Sequence, residues 1–151
     1  SQYFSYIFAF NAVGLMIGAW LSNSVFSRWL SVRQTIKITI LGAFILSTIF
    51  LIMCFSKQSI QLILIPLFFL VLTLGILFPT TTKLALEPFH ENSGSASALL
   101  GTLQLVVTFC ISALTNIIPV DLIIITGVAL FICHTLYLCC YFIKEPKVII
   151  K

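Results

Sequence analysis

Five apolar stretches occupy nearly all of this chain, at 3–22, 38–55, 60–82, 95–118 and 122–143, and none holds an Asp, Glu, Lys or Arg. At about 1.5 Å of rise per residue, helices of these lengths span roughly 27–36 Å, which matches the ~30 Å hydrocarbon core of a bilayer. Lipid offers no partner to a free backbone N–H or C=O, so only helices and closed barrels cross it. Barrel strands are about ten residues long and alternate in polarity, whereas these runs are longer and do not alternate. The sequence predicts an all-α membrane protein with five transmembrane helices, folded as one unit over 1–151.

Charged residues make up 8% of the chain, against about 25% in an ordinary soluble domain. In a soluble protein the net charge of +4 would point to nucleic acid. Here the positions of the charges explain it, and no nucleic-acid partner is expected. Arg28, Arg33 and Lys37 follow the first stretch, Lys83 follows the third, and Lys144, Lys147 and Lys151 follow the fifth. Those regions share one side of the membrane and hold seven of the eight basic residues, leaving Lys57 on the other. Basic loops stay cytoplasmic, so the tail is expected inside and Ser1 outside. Both tryptophans and all four tyrosines fall at or near the ends of stretches, where interfacial anchors belong. The first stretch begins two residues after Ser1, with no methionine and no signal-peptide pattern. With an odd number of helices and an outside start, the chain reads as the end of a longer protein.

Small and polar residues inside the stretches share faces. In the fourth, Ser97, Gly101, Gln104, Thr108, Ser112 and Thr115 follow steps of three and four among Leu, Val, Ile and Phe. The first carries Asn11, Gly14, Gly18 and Ser22, and its Gly14-xxx-Gly18 pair would let another helix approach closely. Two readings stand for each stripe: a packing seam between helices, or the lining of a wet cavity that uses the large amides Asn11 and Gln104. In the third stretch Pro66, Thr73 and Thr80 recur at sevens, with Phe69 beside them. Pro66 and Pro79 each remove a backbone donor. That weakening marks either a static kink or a helix bordering a midplane site. His134 is read either as a proton relay or as a neutral imidazole bonded to a neighbouring hydroxyl. Lys83 and Glu87 have the spacing of an i,i+4 pair.

The five cysteines all lie within the stretches, which suits neither a disulfide framework nor a zinc site, and they are read as small apolar packing residues. No metal and no cofactor is expected. An intramembrane hydrolase would need its nucleophile and base at one depth. Ser97 and His134 fall about 3 Å and about 13 Å from the same boundary, too far apart for a dyad. HExxH, GxSxG, Walker and Rossmann patterns are missing from the sequence, so no enzymatic activity is expected.

The stretch from Gly75 to Gln104, GILFPTTTKLALEPFHENSGSASALLGTLQ, resembles the Bcr/CflA-type drug-efflux transporters of the major facilitator superfamily. That family's eleventh helix opens with G-x-A-S-A-L-x-G-x-x-Q, which stands here as Gly94, Ala96, Ser97, Ala98, Leu99, Gly101 and Gln104. The opening YFSYIFAFN, ending at Asn11, is similar to the start of the family's eighth helix. The resemblance implies the eighth to twelfth helices, part of the C-terminal half of a twelve-helix protein of the cell inner membrane. It implies alternating access around a midplane site, with small amphipathic substrates, protons and the N-terminal half as partners. On this reading Asn11, Phe69, Thr73, Gln104 and Thr108 border the substrate cavity. Gly14, Gly18, Ser97 and Gly101 lie where helices or halves pack. No carboxylate lies inside a stretch, so any proton-coupling acid is expected elsewhere in the parent. The competing expectation is a non-transporting membrane subunit or scaffold, or an inactive gene fragment.

Overall fold

A computed structural model of the protein describes residues 2–56, 59–117 and 121–143. Lys57, residue 118 at the end of the fourth stretch, and the tail lysines Lys144, Lys147 and Lys151 lie outside the described residues. The described chain is almost entirely helical, with five long apolar helices: α1 (Gln2–Leu21), α2 (Val32–Phe55), α3 (Ile60–Leu86), α4 (Ser93–Ile117) and α5 (Leu122–Ile143). All five are long and apolar enough to cross a membrane.

Two helices outrun their apolar stretches. α2 begins at Val32, so Arg33 and Lys37 sit in its first turns instead of in a loop. Long basic side chains at a helix end reach outward while their stems stay against apolar surface, which removes the reason to end the helix at the first charge. The start is set by Ser31, whose hydroxyl accepts from the Gln34 N–H at 3.3 Å while the Gln34 side chain accepts from the Ser31 N–H at 3.0 Å. This reciprocal capping box satisfies two otherwise orphaned donors. α3 runs on to Leu86 and passes into a 3-10 segment, Glu87–Asn92, which turns the chain into α4.

α1 continues through a π-helical turn, Ser22–Phe26, and a last α-turn, Ser27–Trp29. The Ser27 hydroxyl donates to the Asn23 carbonyl, and the Ser27 N–H bonds back to the Ser22 carbonyl five residues earlier. The side chain takes the acceptor that an α-helix would give to its own N–H, and the turn widens by one residue.

Packing runs through a chain of neighbours, α1 on α3, α3 on α2, and α2 on α5. α1 and α3 are parallel: Gly14 meets Phe68, Gly18 meets Leu72 and Gly75, and Ser22 meets Thr80. α2 lies antiparallel to α3, with Phe50 and Cys54 against Ile63 and Leu70 at one end, and Ile36 and Ile40 against Leu77 at the other. α5 is antiparallel to α2, placing Gly127 near Cys54 and Phe131 near Phe44. Tyr137, Leu138 and Tyr141 pack onto the Ile36–Ile40–Leu77 cluster, and the Tyr141 hydroxyl reaches the Arg33 carbonyl at 3.4 Å. The segment holding Arg28, Arg33 and Lys37 thus shares one end of the bundle with Lys83 and the C-terminal end of α5.

α4 stands apart. It touches the end of α3 and the 3-10 segment, and no part of its most apolar window is buried, against 39% for α3. The cysteines divide similarly. Cys54 packs in the α2–α3 core, while Cys110, Cys133, Cys139 and Cys140 are exposed. Apolarity alone does not separate a residue buried in protein from one that suits lipid.

Candidate functional site

α1 and α3 approach each other closely at their seam. A Cβ placed on Gly18 would run into the Leu72 carbonyl oxygen and lie 3.0 Å from the Gly75 Cα. Placed on Gly75, it would run into the Leu15 carbonyl oxygen and lie 3.1 Å from the Gly18 Cα. Only hydrogens fit in these two positions. Each Cα–H then points at a carbonyl of the facing helix, a weak bond that recurs at close helix crossings. One turn earlier, a Cβ on Gly14 would come within 2.9 Å of the Phe68 ring. Phe68 also stacks at 4.4 Å on Phe10.

Polar groups punctuate this seam. At one end Ser22 and Thr80, both buried, join hydroxyl to hydroxyl at 2.9 Å. The Thr80 hydroxyl donates to the Ile76 carbonyl at 2.6 Å, so its single proton is spent and Ser22 is the donor between the two. Toward the other end Asn11 is half-buried, and its Oδ1 is enclosed without a hydrogen-bond partner. An enclosed acceptor with no donor costs about 1–3 kcal/mol relative to a satisfied one. It is therefore the point along the seam where an incoming donor gains most.

The other sequence candidates fall in two places. Thr73 is buried on α3 and donates to the Leu70 carbonyl at 2.7 Å. Phe69 is exposed, edge-on to Phe68 at 5.8 Å. On α4, Ser97, Gln104 and Thr108 are exposed. Their neighbours are in their own helix, Ser97 donating to the Gly94 carbonyl at 2.9 Å and Thr108 to the Gln104 carbonyl at 2.8 Å. Gly101 has open space where a side chain would be. The structure therefore sets Gly14 and Gly18 against α3, with Asn11 half-buried one turn before Gly14 on α1. It does not bring Gln104 or Thr108 to them.

His134 is buried on α5, and its Nδ1 lies 2.7 Å from the Leu130 carbonyl. That bond assigns the proton of the neutral ring to Nδ1 and leaves Nε2 as an acceptor. Its partner is a backbone carbonyl, not the neighbouring hydroxyl expected from the sequence. What sequence reading missed is the role of Gly75 as a packing partner, since it stood out only as a break between two prolines, and the pairing of Ser22 with Thr80. Gly75 sits between Pro66 and Pro79 on the helix facing the Gly14–Gly18 stripe, and a glycine opposite glycines was the available signal.

An all-α architecture of five membrane-length helices, joined by a glycine seam and hydroxyl caps, defines a polytopic membrane protein. The chain is similar to the uncharacterized MFS-type transporter YdgK of Bacillus subtilis (strain 168), at 28% identity over 116 residues, covering 77% of this chain and 29% of that protein. It thus spans less than a third of the length of the curated relative it matches. No family model and no solved structure matches the chain. Similarity to a transporter points away from an enzyme.

Proposed function

We propose that this chain is part of a major facilitator superfamily transporter of the Bcr/CflA type, which exports small amphipathic compounds across the inner membrane by alternating access, at the expense of the proton gradient. The observation that carries the reading is the 116-residue similarity to an MFS-type transporter. The uncovered small-residue face of α4 supports it, because Gly101, Gln104 and Thr108 would meet a further half of the protein. Asn11, with its unpartnered Oδ1, borders the midplane site in this reading, as do Phe69 and Thr73 on α3. Among the described acids, Glu87, Glu91 and Asp121 are exposed and outside the five long helices, so the coupling carboxylate is assigned to other parts of the protein. The basic end of the bundle is cytoplasmic. No observation favours a scaffold that docks through the first helix, since α3 already covers Gly14 and Gly18.

Two measurements test the proposal. Full-length protein in energised inverted vesicles should move a lipophilic dye such as ethidium, and an uncoupler should abolish the movement. Transport that persists with the gradient collapsed would remove proton coupling, and no transport of any amphipathic compound would remove the efflux reading. Single cysteines at 87 and 121, in an otherwise cysteine-free protein in intact cells, should react with an impermeant reagent at 121 only. The reverse pattern would invert the topology.

A further inference from the structure

Where the end of α1, the start of α2 and the end of α3 converge there is a cavity of about 60 Å³. One water needs about 15 Å³, so this space has room for about four waters or a small oxyanion seated at its open rim. Its polar lining is Ser22, Asn23 and Ser27 from the widened turn, Thr35 from α2, and Thr80 and Lys83 from α3. Ser22, Thr35 and Thr80 form a buried floor, and Ser27 and Lys83 form an exposed rim. Arg28 directly follows Ser27 in the sequence. Among the described residues no carboxylate lines the cavity; Glu87 lies one turn beyond Lys83. A cation entering here meets an ammonium, whereas an oxyanion gains a charge-assisted hydrogen bond.

The hydroxyls can serve such a ligand. Thr35 donates to the Ser31 carbonyl at 3.2 Å, and Ser27 donates to the Asn23 carbonyl. Both bonds are to carbonyls of their own helical segment; rotating the Thr35 hydroxyl toward an incoming oxygen gives up only a local interaction, while the Ser27 bond holds the widened turn. The depth also fits. The cavity lies at the ends of membrane-length helices, where lipid headgroups sit and where basic clefts between helices hold their phosphates. We infer that this cavity binds a phosphate-type oxyanion, with Lys83 and the Asn23 amide as its principal donors. The site is independent of the transport reading and survives or fails on its own test.

Native mass spectrometry of the full-length protein, released from neutral detergent, reads retention of phosphatidylglycerol against phosphatidylcholine, with and without inorganic phosphate. Wild type should retain phosphatidylglycerol about tenfold better, and Lys83→Gln should lose most of that preference. Arg33→Gln removes the same charge at the same end without touching the cavity, and should keep the preference. Loss on Lys83→Gln that free phosphate does not compete identifies a lipid headgroup as the source. Loss accompanied by competition from phosphate identifies a soluble anion, and both results support the site. Equal retention of the two lipids without phosphate binding would overturn it. So would equal effects of Lys83→Gln and Arg33→Gln, which would show diffuse surface charge, or no effect of either.

Discussion

The first and fourth helices carry the same kind of face and meet opposite fates. In α1 the stripe of Asn11, Gly14, Gly18 and Ser22 is closed by α3 so tightly that a single methyl at Gly18 has no room. In α4 the stripe of Ser97, Gly101, Gln104 and Thr108 lies open, and its hydroxyls turn back to their own backbone. The difference does not lie in the stripes. α3 offers α1 a complement, with Gly75 opposite Gly18 and Thr80 opposite Ser22. Nothing described offers one to α4. Small residues on a helix grant the capacity for close approach, and only a matching surface uses it.

Substitution separates the two faces, and the largest effect belongs to the seam. Gly18→Leu must push the Leu72 backbone away, because no rotamer relieves a Cβ clash with a main-chain carbonyl. A loss of about 3 kcal/mol or more is expected, read as the disappearance of folded, monodisperse protein in detergent; wild-type melting would break the contrast. Gly101→Leu meets open space and should leave the melting of 1–151 within about 0.5 kcal/mol. If α4 packs against another half, the same change should cut transport by the intact protein about tenfold, equivalent to about 1.4 kcal/mol of activation energy. Unchanged transport would mean that the face looks into lipid.

Smaller effects sharpen the comparison. In the intact protein, Asn11→Ala and Gln104→Ala should each alter rate or substrate preference about threefold or more, and His134→Ala by less than about twofold at matched expression. Loss of transport from His134→Ala alone would reverse those roles. A modest loss of stability is expected from Ser22→Ala. It removes one neutral interhelical hydrogen bond and should cost about 1 kcal/mol, measured as a lower unfolding midpoint. Thr80→Val together with Ser22→Ala should cost less than the sum of the two singles if their hydroxyls are partners.

The helices were legible because membrane span is a one-dimensional property: enough apolar residues in a row dictate it. Their true starts were less so. Ending the second span at Lys37 assumed that charge excludes helix, yet the Ser31-x-x-Gln34 capping box places the start six residues earlier than the apolar run. Gly14 and Gly18 stood out from their spacing. Gly75 stood out only as a break between Pro66 and Pro79 and not as the partner of Gly18, since complementarity belongs to two helices and no single sequence window shows it. The π-helical turn was out of reach for a different reason: it depends on which of two donors on Ser27 wins the Asn23 carbonyl.

The seam has a consequence in time. Ser22 and Thr80 are 58 residues apart, and all of α2 lies between them. At a synthesis rate of about 5–20 residues per second, α1 is made roughly 3–12 s before the surface that completes it. During that interval its glycine groove and Asn11 must be tolerated by lipid, by α2, or by the insertion machinery. A helix built to fit a later neighbour is exposed to wrong partners for as long as the ribosome takes to supply the right one.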